Sequence, residues 1–378
     1  MKKTLILTAL LAAFSLTACG GNDNPPADTP DTPGESESTD REPATDFVRG
    51  ADISWYTEMA ADGKQFYSTE GQAVECPALM RQIGMNAVRL RVWVHPEAKG
   101  THYCDEADVV SKAEAAWKAN LNVMIDFHYS DWWADPGRQE TPDKWKDLDL
   151  ATLTDSVARH TRTVLSAIKA KGIDVAWVQI GNETRNGMLH PLGMLWDENG
   201  DKADGYRNFA QLYQAGYEAA KAVYPQAKVM PHLNHAYEDN AWWLDRLRQN
   251  GGKFDMIALS HYPQADNDAM TWQQLNSTAI QRIGQLAERF GVPVLVAELG
   301  ARQNDEAEAA RVVYDFMRQA RNLPVSTCAG VFYWEPEVYG GWKPQVYNQW
   351  GWGAYDMGAF TTSGRPAAAL DAFKRQWH

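Results

Sequence analysis

From Val48 onward the chain alternates between two kinds of apolar spacing. Short apolar runs, too brief for a helix face, are followed by polar loops and then by longer segments whose apolar residues fall three and four apart. The runs predict eight strands, near Gly50–Ser54, Ala87–Val94, Asn122–His128, Val175–Gly181, Lys228–His232, Met256–Ser260, Val292–Glu298 and Gly330–Trp334. Helical spacing recurs between them, for example over Val110–Ala119, Leu153–Lys171, Tyr206–Val223 and Asp305–Asn322. Gly84, Gly172 and Gly291 stand just ahead of strands, where a preceding helix would end. Strands alternating with helices pair in parallel, and eight such units in about 330 residues fit a single (β/α)8 TIM barrel of the α/β class. The rival, a doubly wound open sheet, carries a glycine-rich phosphate loop after its first strand. Here the first strand runs into SWYTEM, Ser54 to Met59, with no such loop.

The first 46 residues follow neither spacing. Lys2 and Lys3 precede an apolar stretch, Thr4 to Leu16, that is too short to span a bilayer. LTAC follows and ends at Cys19, which resembles a bacterial lipobox. Residues 1–18 are therefore expected to be a lipoprotein signal peptide. Residues 19–46, led by a lipidated Cys19 and rich in Pro, Asp, Glu, Ser and Thr, are expected to be a disordered acidic tether, and residues 47–378 the barrel domain. The chain is expected to be an exported monomer held to the outer membrane or cell surface through Cys19, with the periplasmic face left open.

Charge narrows the choice of ligand. The net charge is −13, and residues 47–378 remain net acidic without the tether, which argues against nucleic acid or another polyanion and for a neutral substrate. Sixteen tryptophans and fifteen tyrosines exceed what a core alone needs, and flat rings suit a ligand with an apolar face. Export permits a disulfide. Cys76 and Cys104 flank one predicted strand and are the expected pair, with Cys328 a buried free thiol.

Function in a barrel collects where its strands end. Those ends carry Trp93, His128, Glu183, His232, Tyr262, Glu298 and Trp334. Glu183 and Glu298 each close an apolar run, on the fourth and seventh strands, so the topology brings both to one mouth. Two facing carboxylates, one protonated and one ionised, are the equipment for cleaving a glycosidic bond. Arg89, Arg91 and Trp93 alternate and so share one face of their strand, and a cation there would keep a neighbouring carboxylate ionised. An ion pair between Arg89 and Asp126 is the structural alternative for that arginine.

GNE on the fourth strand with a lone glutamate on the seventh is the pattern of the clan A glycoside hydrolases. DFHYSDWWADPG (Asp126 to Gly137), NAVRLRVWVHP, IGNETRNG, HYP at His261 to Pro263 and FYWEP at Phe332 to Pro336 more specifically resemble the endo-β-1,4-galactanases of glycoside hydrolase family 53. The resemblance runs from about Asp46 to the C-terminus and implies a retaining two-glutamate enzyme acting on β-1,4-galactan. It implies Glu183 as acid/base and Glu298 as nucleophile. Asn182 would bind the sugar 2-hydroxyl, Tyr262 would hydrogen-bond the nucleophile, and Trp334 would lie under the sugar at the cleavage point. Arg89 and His128 match polar residues of the mouth, and Trp93, Trp133 and Trp342 are further candidates for contact with sugar. Two departures stand out. Trp132 replaces the family's threonine in HYSDTWADPG. The stretch after Glu298, LGARQNDEAE, lacks the spaced oxygen ligands of the calcium site that some bacterial members carry, so no cofactor is expected and a structural calcium is unsupported. Three alternatives remain open from the residues: a metal hydrolase built on His232, His235 and His261, a surface lipoprotein that binds glycan without cleaving it, and a clan A enzyme for another β-glycan such as mannan.

Overall fold

The computed structural model describes residues 40–376. The expected signal peptide, Cys19 and most of the expected tether lie outside the described residues. Nine parallel strands form one sheet: β1 (Val48–Asp52), β2 (Ala87–Val92), β3 (Asn122–Phe127), β4 (Val175–Ile180), β7 (Lys228–Met230), β8 (His232–Leu233), β9 (Ile257–His261), β10 (Val294–Leu299) and β11 (Cys328–Trp334). A small hairpin, β5 (Trp196–Asp197) with β6 (Gly200–Asp201), lies in the loop after β4.

The sheet order is β7-β4-β3-β2-β1-β11-β10-β9-β8. Its two ends are consecutive in the chain, separated by Pro231 alone. Proline has no N–H to give a ladder, so the expected fifth strand is split, with β7 pairing β4 and β8 pairing β9. The Pro231 carbonyl still accepts a bond from the Ala258 N–H at 3.0 Å. Apart from that break the sheet closes into a barrel of the (β/α)8 type.

Helices return the chain between strands: α1 (Tyr56–Ala61), α2 (Cys76–Ile83), α3 (Glu106–Lys118), α4 (Leu150–Ala170), α5 (Gly205–Val223), α6 (Ala241–Gln249), α7 (Trp272–Phe290), α8 (Glu306–Arg321) and the short α9 (Tyr347–Trp350). Local signals set their limits. Asp105 and Asp149 accept N–H bonds at the starts of α3 and α4, and Thr271 with Gln274 forms a capping box on α7. Gly84 and Gly291 end α2 and α7 in the left-handed conformation. The apolar stripe of α8, Ala309, Val312, Val313, Phe316, Met317 and Ala320, is buried. No helix among the described residues is long and apolar enough to cross a membrane.

The outward residues of the strands pack against the helices, and the inward ones form a separate apolar layer that includes Met124, Trp177, Met230, Leu295, Ala297 and Phe332. Gly50 belongs at this level for a steric reason: a Cβ there would sit 2.3 Å from the Phe332 ring. Above this floor the inward positions turn polar. On β10, strict alternation after Leu295 and Ala297 would send Glu298 outward. A register shift between Val296, which pairs with Leu259, and Glu298, which pairs with Ser260, turns the carboxylate inward instead.

The expected Cys76–Cys104 bridge is not formed. Cys76, Cys104 and Cys328 are all buried free thiols. Cys76 opens α2, whereas the Cys104 thiol lies 3.7 Å from the Ser54 carbonyl and 3.7 Å from Lys112 Nζ. Adjacency to one strand in sequence did not bring the two sulfurs together.

Candidate active site

At the C-terminal ends of the strands the barrel interior is charged, and Arg89 on β2 is its centre. Arg89 is 1% exposed. Its Nη1 donates to Asp52 at 2.8 Å; its Nη2 meets Asp126 at 2.8 Å, Glu298 at 2.9 Å and Asn182 Oδ1 at 2.9 Å; its Nε donates to Gln179 at 3.2 Å. A buried guanidinium needs such partners. Every nitrogen of Arg89 is engaged by protein, and its Nη2 holds Asn182 and Glu298 in place. The alternative pairing with Asp126 is also present.

Glu298 is 4% exposed and held from both sides, by Arg89 at Oε1 and by the Tyr262 hydroxyl at Oε2, 2.7 Å away. Burial pushes its carboxyl up, while the Arg89 charge and the Tyr262 hydrogen bond pull it back toward ionisation. No cation among the described residues pairs with Glu183. Burial, and after it the charge of Glu298, push its carboxyl well above the usual range, with a hydrogen bond from Ser260 opposing. Glu183 sits at a left-handed φ of 46°, a conformation that is strained for a residue with a side chain and that recurs at Tyr129, His235 and Glu335 beyond other strand ends. Its N–H reaches His232 Nδ1 at 3.2 Å, and Gln179 Nε2 lies 3.0 Å from the same nitrogen. Asn182 Oδ1 lies 2.9 Å from the same Nδ1, so the ring joins the network of strand-end amides, and its Nε2 faces Ser260 Oγ at 2.9 Å. Burial keeps the His232 ring neutral.

Asn182 uses Oδ1 for Arg89 and for Gln179 Nε2, the latter at 3.1 Å, and one Nδ2 hydrogen for the Ala134 carbonyl at 2.8 Å. The second Nδ2 hydrogen has no partner among the described residues. His128 is fully committed. The Ala134 N–H donates to its Nδ1 at 3.0 Å, so Nε2 carries the proton and donates to Asp126 at 2.9 Å. Burial depresses its pKa and keeps it uncharged. His128 thus braces the loop after β3.

Aromatic rings wall the mouth. Trp334, at the end of β11, stands between Tyr262 and Tyr355, with centroids 6.1 and 4.7 Å away, and its carbonyl accepts from the Tyr355 hydroxyl at 3.0 Å. Trp133 meets Trp334 edge-on at 5.7 Å and packs on Trp55 and Trp93, each 5.6 Å away. Trp93 and Trp342 are 2% and 7% exposed, so they back this wall, and Trp342 donates to Asp62 at 2.9 Å. Trp132, the departure from the family motif, stacks on Trp352 at 5.1 Å and 13°, and the Arg138 guanidinium covers both rings at 4.6 and 4.8 Å. It ties the loop after β3 to the loop after β11.

Several site residues were not foreseen. Asp52, Gln179 and Ser260 sit at inward positions near strand ends, and the alternation used for Arg89 could have found them. Arg91 pairs with Glu335 at 2.8 Å beneath the rings of Trp55, Trp93 and Trp133. Burial pushes the Glu335 carboxyl up to about 8 despite that partner. The three histidines of the metal-hydrolase alternative diverge. His232 faces Ser260, His261 binds Asn276 at 2.9 Å, and His235 lies 3.4 Å from Asp266. Among the described residues no group of three or more His, Cys, Asp or Glu is placed to hold a metal ion.

Comparison with known proteins agrees with this geometry. Residues 48–310 match the model of glycosyl hydrolase family 53. A probable arabinogalactan endo-β-1,4-galactanase A from Neosartorya fischeri is 31% identical over 316 residues, which cover 76% of this chain and 83% of that protein. Among solved structures, the Ignisphaera aggregans GH53 catalytic domain superposes with a TM-score of 0.75 and 27% identity, over 88% of this chain and 96% of its own. A structure from a study of two fungal β-1,4-galactanases gives a TM-score of 0.72 and 25% identity, over 86% and 98%. The family match spans well over half of the sequence, from β1 into α8, and takes in both glutamates at the barrel mouth: the chain belongs to glycosyl hydrolase family 53.

Proposed function

We propose that the protein is a retaining endo-β-1,4-galactanase in which Glu183 is the acid/base and Glu298 the nucleophile. The observation that carries the assignment is the unequal environment of the two carboxyls. Glu298 faces Arg89 and the Tyr262 hydroxyl, which favour the ionised form a nucleophile needs. Glu183 meets no cation among the described residues, and its burial and the charge of Glu298 favour the protonated form a general acid needs. In the first step Glu183 gives its proton to the leaving glycosidic oxygen while a Glu298 oxygen bonds to the sugar carbon. In the second, Glu183 takes a proton from water, which displaces Glu298 and restores the original configuration. Such chemistry requires the carboxyls about 5–5.5 Å apart. Galactan as the substrate is supported by what the related proteins are named for, and an aromatic mouth suits the apolar face of galactose. Sizing the products from β-1,4-galactan beside mannan and xylan tests the substrate and the mode of attack. Early release of short oligomers from galactan alone is the expected result; equal action on mannan would refute the substrate.

Tyr262→Phe tests the charge assignment. Losing a hydrogen bond to a carboxylate raises the Glu298 pKa. Because Glu298 must be ionised, activity then fails earlier as the pH falls. The acid limb of the kcat/KM profile should move up by about one pH unit, the size of one charged hydrogen bond. An unmoved acid limb would separate Tyr262 from the nucleophile.

We further propose that lipid on Cys19 anchors the enzyme to the membrane. Cys19→Ser should leave a soluble protein of full activity, because the barrel begins beyond the tether. A wild-type protein that is already soluble when made with its own signal would disprove the anchor.

A further inference from the structure

We propose that Trp196 and Trp242 form an outer aromatic subsite for the leaving-group end of a galactan chain, an inference that rests on the galactanase reading above. Trp242, in the first turn of α6, is 38% exposed, one of few large apolar side chains so open among the described residues. Trp196, in the β5–β6 hairpin, is partly exposed, and its ring centroid lies 6.3 Å from that of Trp242 at 46°. The two rings make an open angle instead of stacking flat, which leaves ring faces available to a third flat group.

Their placement ties them to Glu183. Asn186, three residues after Glu183, fixes the backbone of Trp196 through three bonds: its Oδ1 accepts from the N–H groups of Leu195 and Trp196 at 3.2 and 3.0 Å, and its Nδ2 donates to the Trp196 carbonyl at 3.1 Å. Arg185, two residues after Glu183, accepts at its carbonyl the Nε1–H of Trp243, the neighbour of Trp242, at 2.9 Å. The Arg246 guanidinium lies over Tyr206 at 4.7 Å and Trp242 at 6.0 Å, and its pairing with Asp201 at 2.8 Å joins α6 to the hairpin. That pairing cancels the local charge, as a neutral ligand requires.

The ring order of the barrel gives the direction. β11, which ends in Trp334, stands opposite β4, whose loop holds Trp196. A chain lying from Trp334 across the mouth passes Glu298 and then Glu183 before it reaches the tryptophan pair. Glu183 protonates the leaving oxygen in the proposed mechanism, so the units beyond it belong to the leaving group. Galactose offers one apolar ring face per residue, and a tryptophan face can cover it.

The test compares Trp242→Ala and Trp242→Tyr with the parent, on β-1,4-galactan and on an aryl galactobioside whose sugars fill only the side away from Trp242. Loss of one stacked ring should raise KM on galactan about tenfold with kcat little changed, and leave the aryl substrate unaffected. Trp242→Tyr should restore most of the loss, and melting temperatures should match, since the side chain is exposed. Equal KM on galactan for parent and Trp242→Ala overturns the subsite while leaving the enzyme assignment standing. A rise in KM on both substrates overturns it too, since that would be a general disturbance of the fold. A parent without activity on galactan overturns both readings.

Discussion

Glu298→Ala should lower activity on every substrate by several orders of magnitude, because no group remains to bond to the sugar carbon. Glu183→Ala should be nearly as damaging on galactan, whose leaving oxygen needs a proton. On an aryl galactobioside with a good leaving group its first step should be far less affected. The pH profiles follow from the charges. Glu183 must be protonated, so wild-type activity falls as the pH rises through its elevated pKa. That alkaline limb should vanish in Glu183→Ala on the aryl substrate, where no proton is required. The acid limb belongs to Glu298, which must be ionised, and should persist in Glu183→Ala. Loss of activity from neither variant would make the pair structural.

The second large effect is on stability as well as rate. Arg89→Met leaves Asp52, Asp126 and Glu298 buried together without the cation they share. Removing one partner of a buried ionic group costs about 3–5 kcal/mol, enough to shift the midpoint of urea unfolding clearly. The sign with pH is fixed by Asp126, whose carboxyl resists protonation because, although burial opposes it, Arg89 and His128 hold it below the usual range. Its contribution is present above the unfolded pKa of Asp and is lost as the pH falls through the folded one. The deficit of Arg89→Met should therefore be largest at neutral pH and shrink as the pH falls, first as the unpaired buried carboxylates of the variant take up protons and then, below about pH 4, as the wild type loses the Asp126 contribution. Activity should fall too, since Glu298 loses the charge that keeps it ionised and Asn182 loses its anchor. A variant as stable as the wild type at neutral pH would contradict the hub.

Much of this was legible because period is legible. Apolar runs and three-four spacing placed the strands and the long helices to within a few residues, and strand ends pointed to the mouth. What sequence hid was what depends on register or on distant partners. Counting along β10 sends Glu298 outward, and only the bulge after Val296 corrects it. Pro231 was visible, but not that the barrel would close across it. Cys76 and Cys104 flank a strand, yet one thiol went to a helix start and the other toward Lys112. Arg89 and His128 read as polar residues of the mouth, and only the structure shows which protein groups hold them. Glu335, next to Trp334, had no signal of its own, because its partner Arg91 lies 244 residues away.

The roles of the two glutamates are tested most directly by the anomeric configuration of the azide product that each variant makes from an aryl galactobioside. In Glu298→Ala the space of the lost carboxylate admits azide, which should attack the substrate directly and give the inverted, α-galactosyl azide. In Glu183→Ala the sugar first bonds to Glu298, and azide should then displace it from the side where water would have been activated, giving the retained, β-galactosyl azide. The opposite pattern of configurations, read by NMR, would reverse the roles, and the absence of azide product from both variants would contradict double displacement at this pair.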